Sequence, residues 1–259
     1  MAGRLEGEIA VVTGSDSGIG HATAVAFARE GADVAVTIHE DVAGAERTAK
    51  EVGDLGRRAL LVNLDQRDPK SVEDLFRRVA EELGTPTILV NDAGIDSTGK
   101  HVGDMPLEDW DDEIRTNLYG PFYCAREFIR GLAGSDLHGT IINITSVHQE
   151  IPRAGASGYC AAKGALRNLT RCLALELAES NITVKNIAPG MVLTPFNQPA
   201  IDDPEILREQ VASIPQKRAA EPEEIAKVAV FLASREADYI HGTTVYVDGG
   251  LMQNQGQGA

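Results

Sequence analysis

The stretch "EIAVVTGSDSGIGHATAVAFAREG" (residues 8–31) determines the kind of fold this chain can adopt. Its first part is a β-branched apolar run, and its last part has alanines and other apolar residues at helical spacing. Between them lie Gly14, Gly18 and Gly20, which permit a tight turn and a close approach of the backbone to a ligand. Because free N–H groups point out of a helix N-terminus, a strand, a glycine turn and a helix form a phosphate site. We therefore predict a nucleotide-binding βαβ unit at the start of the chain.

The same alternation of short apolar runs and longer helical runs continues through most of the 259 residues. Strands are predicted over residues 8–14, 33–38, 58–64, 87–91, 140–145, 182–188 and 243–248. Helices are predicted over 20–31, 41–55, 69–84, about 107–133, around Tyr159 and near 221–234. This rhythm predicts one α/β domain spanning residues 1–259, a doubly wound (Rossmann) parallel sheet of about seven strands with helices on both faces.

One segment, about 191–220, interrupts the rhythm with several prolines and no clean strand. A long irregular segment in a compact domain is usually a functional loop, so we predict a substrate lid there.

The composition excludes several classes of function. Lys and Arg number 24 against 39 Asp and Glu, for a net charge of −15, which argues against binding nucleic acid or anionic membranes. The three cysteines, Cys124, Cys160 and Cys172, are scattered without metal-ligand spacing, so neither a disulfide framework nor a metal site is expected. The N-terminus lacks an apolar signal region, and no apolar run approaches the roughly 20 residues of a membrane span. A cytoplasmic location is expected.

The stretch "SGYCAAKGAL" (157–166) places Tyr159 and Lys163 four residues apart, on one face of a helix. This spacing alone is common and fits an ordinary half-buried ring beside a solvated amine, but it also fits a proton donor beside the cation that tunes it. Hydride transfer to or from an alcohol carbon requires a general acid/base within about 3 Å of the oxygen. A nearby ammonium favours phenolate, so a lowered tyrosine pKa is expected under the second reading. Ser146 ends a predicted strand, where such sheets hold their ligands, and would hydrogen-bond the substrate oxygen.

A series of motifs in this order resembles those of the short-chain dehydrogenase/reductase family along nearly the whole chain. The motifs are TGSDSGIG (13–20), NDAG (91–94), NLYG (117–120), NITSV (143–147), YCAAK (159–163), PGMVLTP (189–195) and VDGG (247–250). The resemblance implies an NAD(P)-dependent oxidoreductase that transfers a hydride between nicotinamide and an alcohol or carbonyl carbon. It implies a catalytic set of Ser146, Tyr159, Lys163 and Asn117, in which Asn117 holds a water that continues the proton path through Lys163.

The resemblance also implies the cofactor contacts. By this resemblance, Asp65 contacts the adenine and Thr194 binds the carboxamide of the nicotinamide. The full implied set is Gly14, Ser17, Gly18, Ile19, Gly20, His39, Asp65, Asn91, Ala93, Gly94, Tyr159, Lys163, Pro189, Gly190, Val192 and Thr194. Asp92 departs from the pattern, because the family usually has asparagine at that position.

The choice between NAD and NADP depends on the end of the second strand. An acidic residue there binds the ribose 2′-hydroxyl of NAD, whereas an arginine accepts the 2′-phosphate of NADP. Here the positions hold Ile38 and His39, followed by Glu40 and Asp41, so neither selector is clear. The resemblance gives NADP a slight preference.

The substrate is the least determined feature. The segments "TSVHQEIPRAGASGYCAAKG" (145–164) and "DGGLMQNQGQGA" (248–259) resemble the glucose 1-dehydrogenase branch of the family. That resemblance implies a small-molecule sugar substrate, with contacts from Ser146, His148, Gln149, Tyr159 and Phe196.

Several alternatives to this substrate assignment remain open. His148 and Gln149 could equally belong to a solvated loop. The reaction could be the reduction of a 3-oxoacyl thioester or a cyclic ketone, and a dinucleotide-binding sensor without turnover is the alternative of another class. The family resemblance further implies a homotetramer, formed through helix faces and the C-terminal strand.

Overall fold

The computed structural model describes residues 3–96 and 99–254. Within those ranges, seven strands form one sheet in the order β3-β2-β1-β4-β5-β6-β7, and every neighbouring pair is parallel. The strands are β1 (Ile9–Val12), β2 (Asp33–Ile38), β3 (Ala59–Asn63), β4 (Ile88–Asn91), β5 (Gly139–Ile144), β6 (Ile182–Pro189) and β7 (Thr244–Val247). The prediction of a doubly wound parallel sheet is therefore confirmed.

Helices connect the strands and cover both faces of the sheet. They are α1 (Gly18–Arg29), α2 (Val42–Asp54), α3 (Pro69–Glu82), α4 (Leu107–Ile114), α5 (Gly120–Leu132), α6 (Ser157–Glu176), α7 (Gln198–Asp202), α8 (Pro204–Gln210) and α9 (Pro222–Ala233). Successive residues of a strand point to opposite faces. Ala10 and Val12 of β1 accordingly pack in a core with α1 and α9, whereas Val11 packs in a second core with α3 and α5. This two-sided burial explains why the strands are continuous apolar runs.

The strand order reverses at β1, which pairs with β2 on one side and β4 on the other. In open α/β sheets, ligands bind beyond the carboxyl ends of the strands at such a switch point. The first strand ends at Val12, before the predicted end at residue 14, because Gly14 turns the chain away with φ of +68°. The glycine turn therefore lies at the switch point.

Two predicted elements differ in the structure. The predicted helix over 107–133 is divided by a π-helical turn, Arg115–Tyr119. The segment 191–220, predicted as irregular, contains α7 and α8. Pro199 and Pro204 begin these helices instead of breaking them, because proline lacks only an N–H that has no partner in the first turn. Asp203 supports this start, since its carboxylate accepts a hydrogen bond from the Glu205 N–H at 2.8 Å.

Two classes of feature are missing from the described part of the chain. None of its helices has the length and apolar character needed to cross a bilayer. It also contains no group of three or more His, Cys, Asp or Glu side chains arranged to hold a metal ion.

Candidate active site

A cavity of about 430 Å³ opens beyond the carboxyl ends of the strands, beside the glycine turn. Most of the predicted cofactor contacts line it, although they come from distant parts of the chain. Those brought together are Gly14, Ser17, Gly18, Ile19, His39, Asp65, Ala93, Gly94, Tyr159, Lys163, Pro189, Gly190, Val192 and Thr194, with Phe196 at the same cavity. The order of the motifs along the sequence thus corresponds to one concave site.

The glycine turn has the geometry of a phosphate site. Gly14 and Gly18 have φ of +68° and +54°, a conformation that side chains with a Cβ rarely adopt. Ser17 precedes α1, and its hydroxyl makes no capping hydrogen bond within the described ranges. Gly18 and Ile19 begin the helix and line the cavity, and the helix dipole favours an anion at this end. These features fit the diphosphate of a dinucleotide.

Gly20 and Asn91 do not line the cavity. A Cβ on Gly20 would lie 2.2 Å from the carbonyl oxygen of Gly14, so this glycine lets helix α1 pack against the turn. Asn91 is buried, and its Nδ2 donates to Oδ1 of Asn143 at 2.8 Å on the neighbouring strand β5. Gly20 and Asn91 therefore support the cavity indirectly, by holding the backbone of the turn and of the neighbouring strands in place.

Tyr159 lines the cavity from near the start of α6. Its ring is half-buried, and the imidazole of His148 meets it edge-on at 6.3 Å between centroids. A hydrogen bond from the Ser146 hydroxyl lowers the pKa of the phenol, but desolvation outweighs it and raises that pKa to about 12. The prediction of a lowered tyrosine pKa is therefore wrong for this structure. Burial dominates, and Tyr159 is in its protonated form near neutral pH.

Lys163 is almost completely buried, with 4% of its surface exposed. Its Nζ donates to the Ile144 carbonyl oxygen at 2.9 Å and lies 5.6 Å from the centroid of the Tyr159 ring. Burial lowers the pKa of this amine to about 8, while the negative charges of Asp92 and Asp96 act in the opposite direction. The predicted pairing of Tyr159 and Lys163 on one helix face is present, and the pKa of the lysine is itself strongly lowered.

Asn117 lies in the π-helical turn and is completely buried. Its Nδ2 donates to the Ile95 carbonyl oxygen at 2.8 Å, and its Oδ1 accepts from the Ile95 N–H at 3.1 Å. These bonds anchor the loop that carries Gly94 into the cavity. The water expected on Asn117 remains a prediction. In the structure, both polar atoms of this side chain hydrogen-bond to the backbone of Ile95.

The predicted substrate contacts occupy different environments. The Ser146 hydroxyl accepts a hydrogen bond from the His148 N–H at 3.1 Å, and His148 Nδ1 bonds to the Ile151 carbonyl at 2.9 Å. Phe196 is 54% exposed and lines the cavity. Gln149 is buried instead, with its Nε2 donating to the Tyr246 hydroxyl at 2.9 Å, outside the residues that line the cavity.

Sequence reasoning missed an ion pair beside Tyr159. Arg153 and Asp96 are 2.8 Å apart between guanidinium nitrogen and carboxylate oxygen, and both act electrostatically on the tyrosine. The other oxygen of Asp96, Oδ1, is buried and has no hydrogen-bond partner within residues 3–96 and 99–254. The residues are 57 positions apart in the sequence, so no local pattern indicates the pair.

Comparison with known proteins places the site in context. A family model described as enoyl-(acyl carrier protein) reductase matches residues 13–252. The chain is 40% identical to glucose 1-dehydrogenase of Gluconobacter oxydans, over 96% of this chain and 93% of that protein. It is 36% identical to glucose 1-dehydrogenase 2 of Bacillus subtilis, over 95% of each. A solved gluconate 5-dehydrogenase of Burkholderia cenocepacia, in complex with NADP and tartrate, is 32% identical, with a TM-score of 0.90 over 96% of this chain and 97% of that one.

Proposed function

The chain belongs to the short-chain dehydrogenase/reductase family and is an NAD(P)-dependent oxidoreductase of CH–OH groups, and on this premise we propose that it oxidises a sugar in the manner of glucose 1-dehydrogenase. The proposal is supported by polar groups that act on the Tyr159 phenol, namely the Ser146 hydroxyl and the Asp96–Arg153 ion pair. An alcohol without further hydroxyl groups offers no donor to the unpartnered oxygen of Asp96, and an unmet acceptor is unfavourable in a desolvated site.

The likeness to two glucose 1-dehydrogenases carries the sugar assignment, and the unpartnered Oδ1 of Asp96 supports it. A buried carboxylate oxygen is an acceptor for hydroxyl donors, and a sugar presents several hydroxyls beside its reacting carbon. Arg153 holds the other oxygen of this carboxylate at 2.8 Å, which fixes the direction of the free acceptor. The segment 191–220, with the half-exposed Phe196, forms the lid over this end of the cavity.

The chemistry follows from the positions of Ser146, Tyr159 and Lys163. When bound, the dinucleotide supplies the nicotinamide carbon that exchanges a hydride with the carbinol carbon. In the oxidation, Tyr159 first releases its phenolic proton to solvent, and the phenolate then accepts the hydroxyl proton as the carbonyl forms. In the reverse reaction the phenol donates that proton. The Ser146 hydroxyl stabilises negative charge on the phenol and on the substrate oxygen. Lys163 adds positive charge 5.6 Å from the ring centroid.

The residues that hold the dinucleotide are those that line the cavity. The backbone at Gly14, Gly18 and Ile19 receives the diphosphate, with Asp65 toward the adenine. Gly94 and Thr194 lie nearer the nicotinamide end, with Thr194 packed beside Gly18 across the cavity mouth.

The substrate proposal is tested with a panel of compounds. Appearance of the reduced nicotinamide is followed by its near-ultraviolet absorbance, with sugars, polyols, simple secondary alcohols and 3-hydroxyacyl esters offered separately. We expect the highest kcat/KM with a sugar that can be oxidised at its anomeric carbon. A rate with simple alcohols or hydroxyacyl esters that exceeds every sugar would refute the substrate class and leave the reaction class intact.

For the cofactor we propose a small preference for NADP over NAD. His39 lines the adenosine end of the cavity, and Ile38 ends strand β2 without a carboxylate that would repel a 2′-phosphate. The preference is small because Asp16 and Glu40 also line this region. We expect a lower Michaelis constant for NADP than for NAD at the same pH, measured with one substrate. A lower constant for NAD would contradict the assignment.

We also propose a cytoplasmic homotetramer. Large apolar side chains stand exposed on and between α4 and α5, including Leu107, Trp110, Tyr119 and Phe122. Such exposed apolar surface is typical of contacts between subunits. Light scattering should give about four times the chain mass of 27.6 kDa. A mass equal to one chain at micromolar concentration would contradict the assembly.

A further inference from the structure

Asp92 follows strand β4 and lines the cavity. Its backbone N–H is held by the Thr13 hydroxyl at 3.0 Å, which fixes the residue beside the glycine turn. Its side chain lies against helix α1, where the carboxylate accepts a hydrogen bond from the Gly20 N–H. A Cβ on Gly20 would come within 2.8 Å of Oδ2, so the carboxylate is closely packed there.

Lys163 approaches the same loop from helix α6. Its Nζ would lie 3.7 Å from a Cβ built on Gly94, two residues after Asp92. The amine has one hydrogen-bonding partner on strand β5, the uncharged carbonyl of Ile144. A buried ammonium held by a neutral carbonyl depends on nearby negative charge to stay protonated.

We infer that Asp92 is a positioning residue whose carboxylate keeps Lys163 in its ammonium form. The inference rests on the proposed function, in which the charge of Lys163 supports proton transfer by Tyr159. Asparagine can accept the same hydrogen bond from Gly20 but carries no charge. The aspartate therefore supplies an electrostatic function that an amide at this position lacks.

The directions of the pKa shifts agree with this role. Burial raises the pKa of Asp92 to about 7 and lowers that of Lys163 to about 8, and each charge favours the ionised form of the other. Lys163 is an ammonium below its pKa, and Asp92 is a carboxylate above its own. Removing the carboxylate lowers the lysine pKa, so the ammonium is lost at a lower pH.

Other charged groups face this pair. Asp16, in the glycine turn, faces Asp92 and raises the pKa of its carboxyl. Asp96 faces Lys163 from the loop after β4 and is itself paired with Arg153. Its influence on the lysine ranks below that of Asp92. Substitutions of Asp96 and Asp16 therefore serve as controls, with a smaller expected effect on the Lys163 pKa for Asp96 and no lowering of it for Asp16.

The test is the pH dependence of kcat/KM for the cofactor, which reports groups of the free enzyme. In Asp92→Asn we expect the alkaline limb, which reports loss of the Lys163 ammonium, to move to a pH lower by about one unit. A nearby opposite charge shifts a pKa by at least about this much. Asp96→Asn should move the limb down by less. Asp16→Asn removes a charge from the same cavity and should not move the limb down, whatever its effect on the cofactor KM. An unchanged limb in Asp92→Asn, or equal downward shifts in the Asp92 and Asp16 variants, would overturn the inference.

A second measurement does not depend on turnover. The rate at which acetic anhydride acetylates Lys163, followed against pH by mass spectrometry of the intact enzyme's peptides, reports the protonation of this amine. We expect the midpoint to be lower in Asp92→Asn than in the wild type. An equal or higher midpoint would overturn the inference. If the midpoint falls although the wild type oxidises no alcohol, the charge pairing stands and the proposed function fails.

Discussion

Replacing Tyr159 with phenylalanine is expected to lower kcat by about 10²–10⁴-fold, the range that general acid–base catalysis contributes. Phenylalanine keeps the ring beside His148 but removes the hydroxyl that Ser146 bonds. The substrate proton then has no acceptor on the protein. The glycine turn is untouched, so the dissociation constant for the reduced dinucleotide, measured by fluorescence titration, should stay close to that of the wild type.

The matched control for this substitution is Tyr239→Phe. Tyr239 is fully exposed and is not among the residues that line the cavity. Its variant should turn over at the wild-type rate, which separates loss of one particular hydroxyl from loss of any tyrosine. Wild-type turnover in Tyr159→Phe would exclude this residue as the general acid/base.

Gly20→Ala is expected to lower the free energy of unfolding by about 1–3 kcal/mol, the usual cost of inserting an atom into a packed site. The added Cβ would lie 2.2 Å from the Gly14 carbonyl oxygen, which is backbone and can move only if the turn moves. Movement of that turn also displaces the N–H groups proposed to receive the diphosphate. We therefore expect weaker cofactor binding together with lower stability.

Urea unfolding and cofactor titration measure both effects of this substitution. Gly53→Ala is the control, because a Cβ on Gly53, within helix α2, would have no heavy atom within 4 Å. That variant should gain up to about 1 kcal/mol, since alanine is favoured over glycine in a helix. A Gly20→Ala protein as stable as the wild type, with unchanged affinity, would show that the turn is not closely packed.

The fold was largely predictable because its signals are local. The apolar runs at 33–38 and 182–188 are buried on both faces, and their boundaries agree closely with β2 and β6. The segment 191–220 was harder to predict, because its prolines suggest irregular backbone. Pro204 instead begins α8 behind the cap of Asp203. Whether a proline breaks or begins a helix depends on the residues on both sides of it, and a count of prolines carries no such information.

The order of the motifs indicates which residues meet at the cavity, but it does not indicate the pKa values of those residues. Tyr159 and Lys163 share a helix face, which spacing alone indicates. Their pKa values depend on burial by distant segments, and desolvation reversed the expected direction for the tyrosine. Gln149 was predicted at the substrate because it follows Ser146 closely, yet the turn at 147–149 directs its amide to Tyr246. Such contacts arise between strands and loops that are far apart in sequence.

The most direct test of the central claim compares wild-type and Tyr159→Phe enzymes side by side, with saturating oxidised cofactor and the best substrate of the panel. Formation of reduced nicotinamide is followed in the near ultraviolet, and cofactor binding is titrated in the same samples. We predict rapid reduction by the wild type and almost none by the variant, with similar cofactor affinity in both. Reduction at equal rates would contradict the assignment of Tyr159 as the residue that moves the proton.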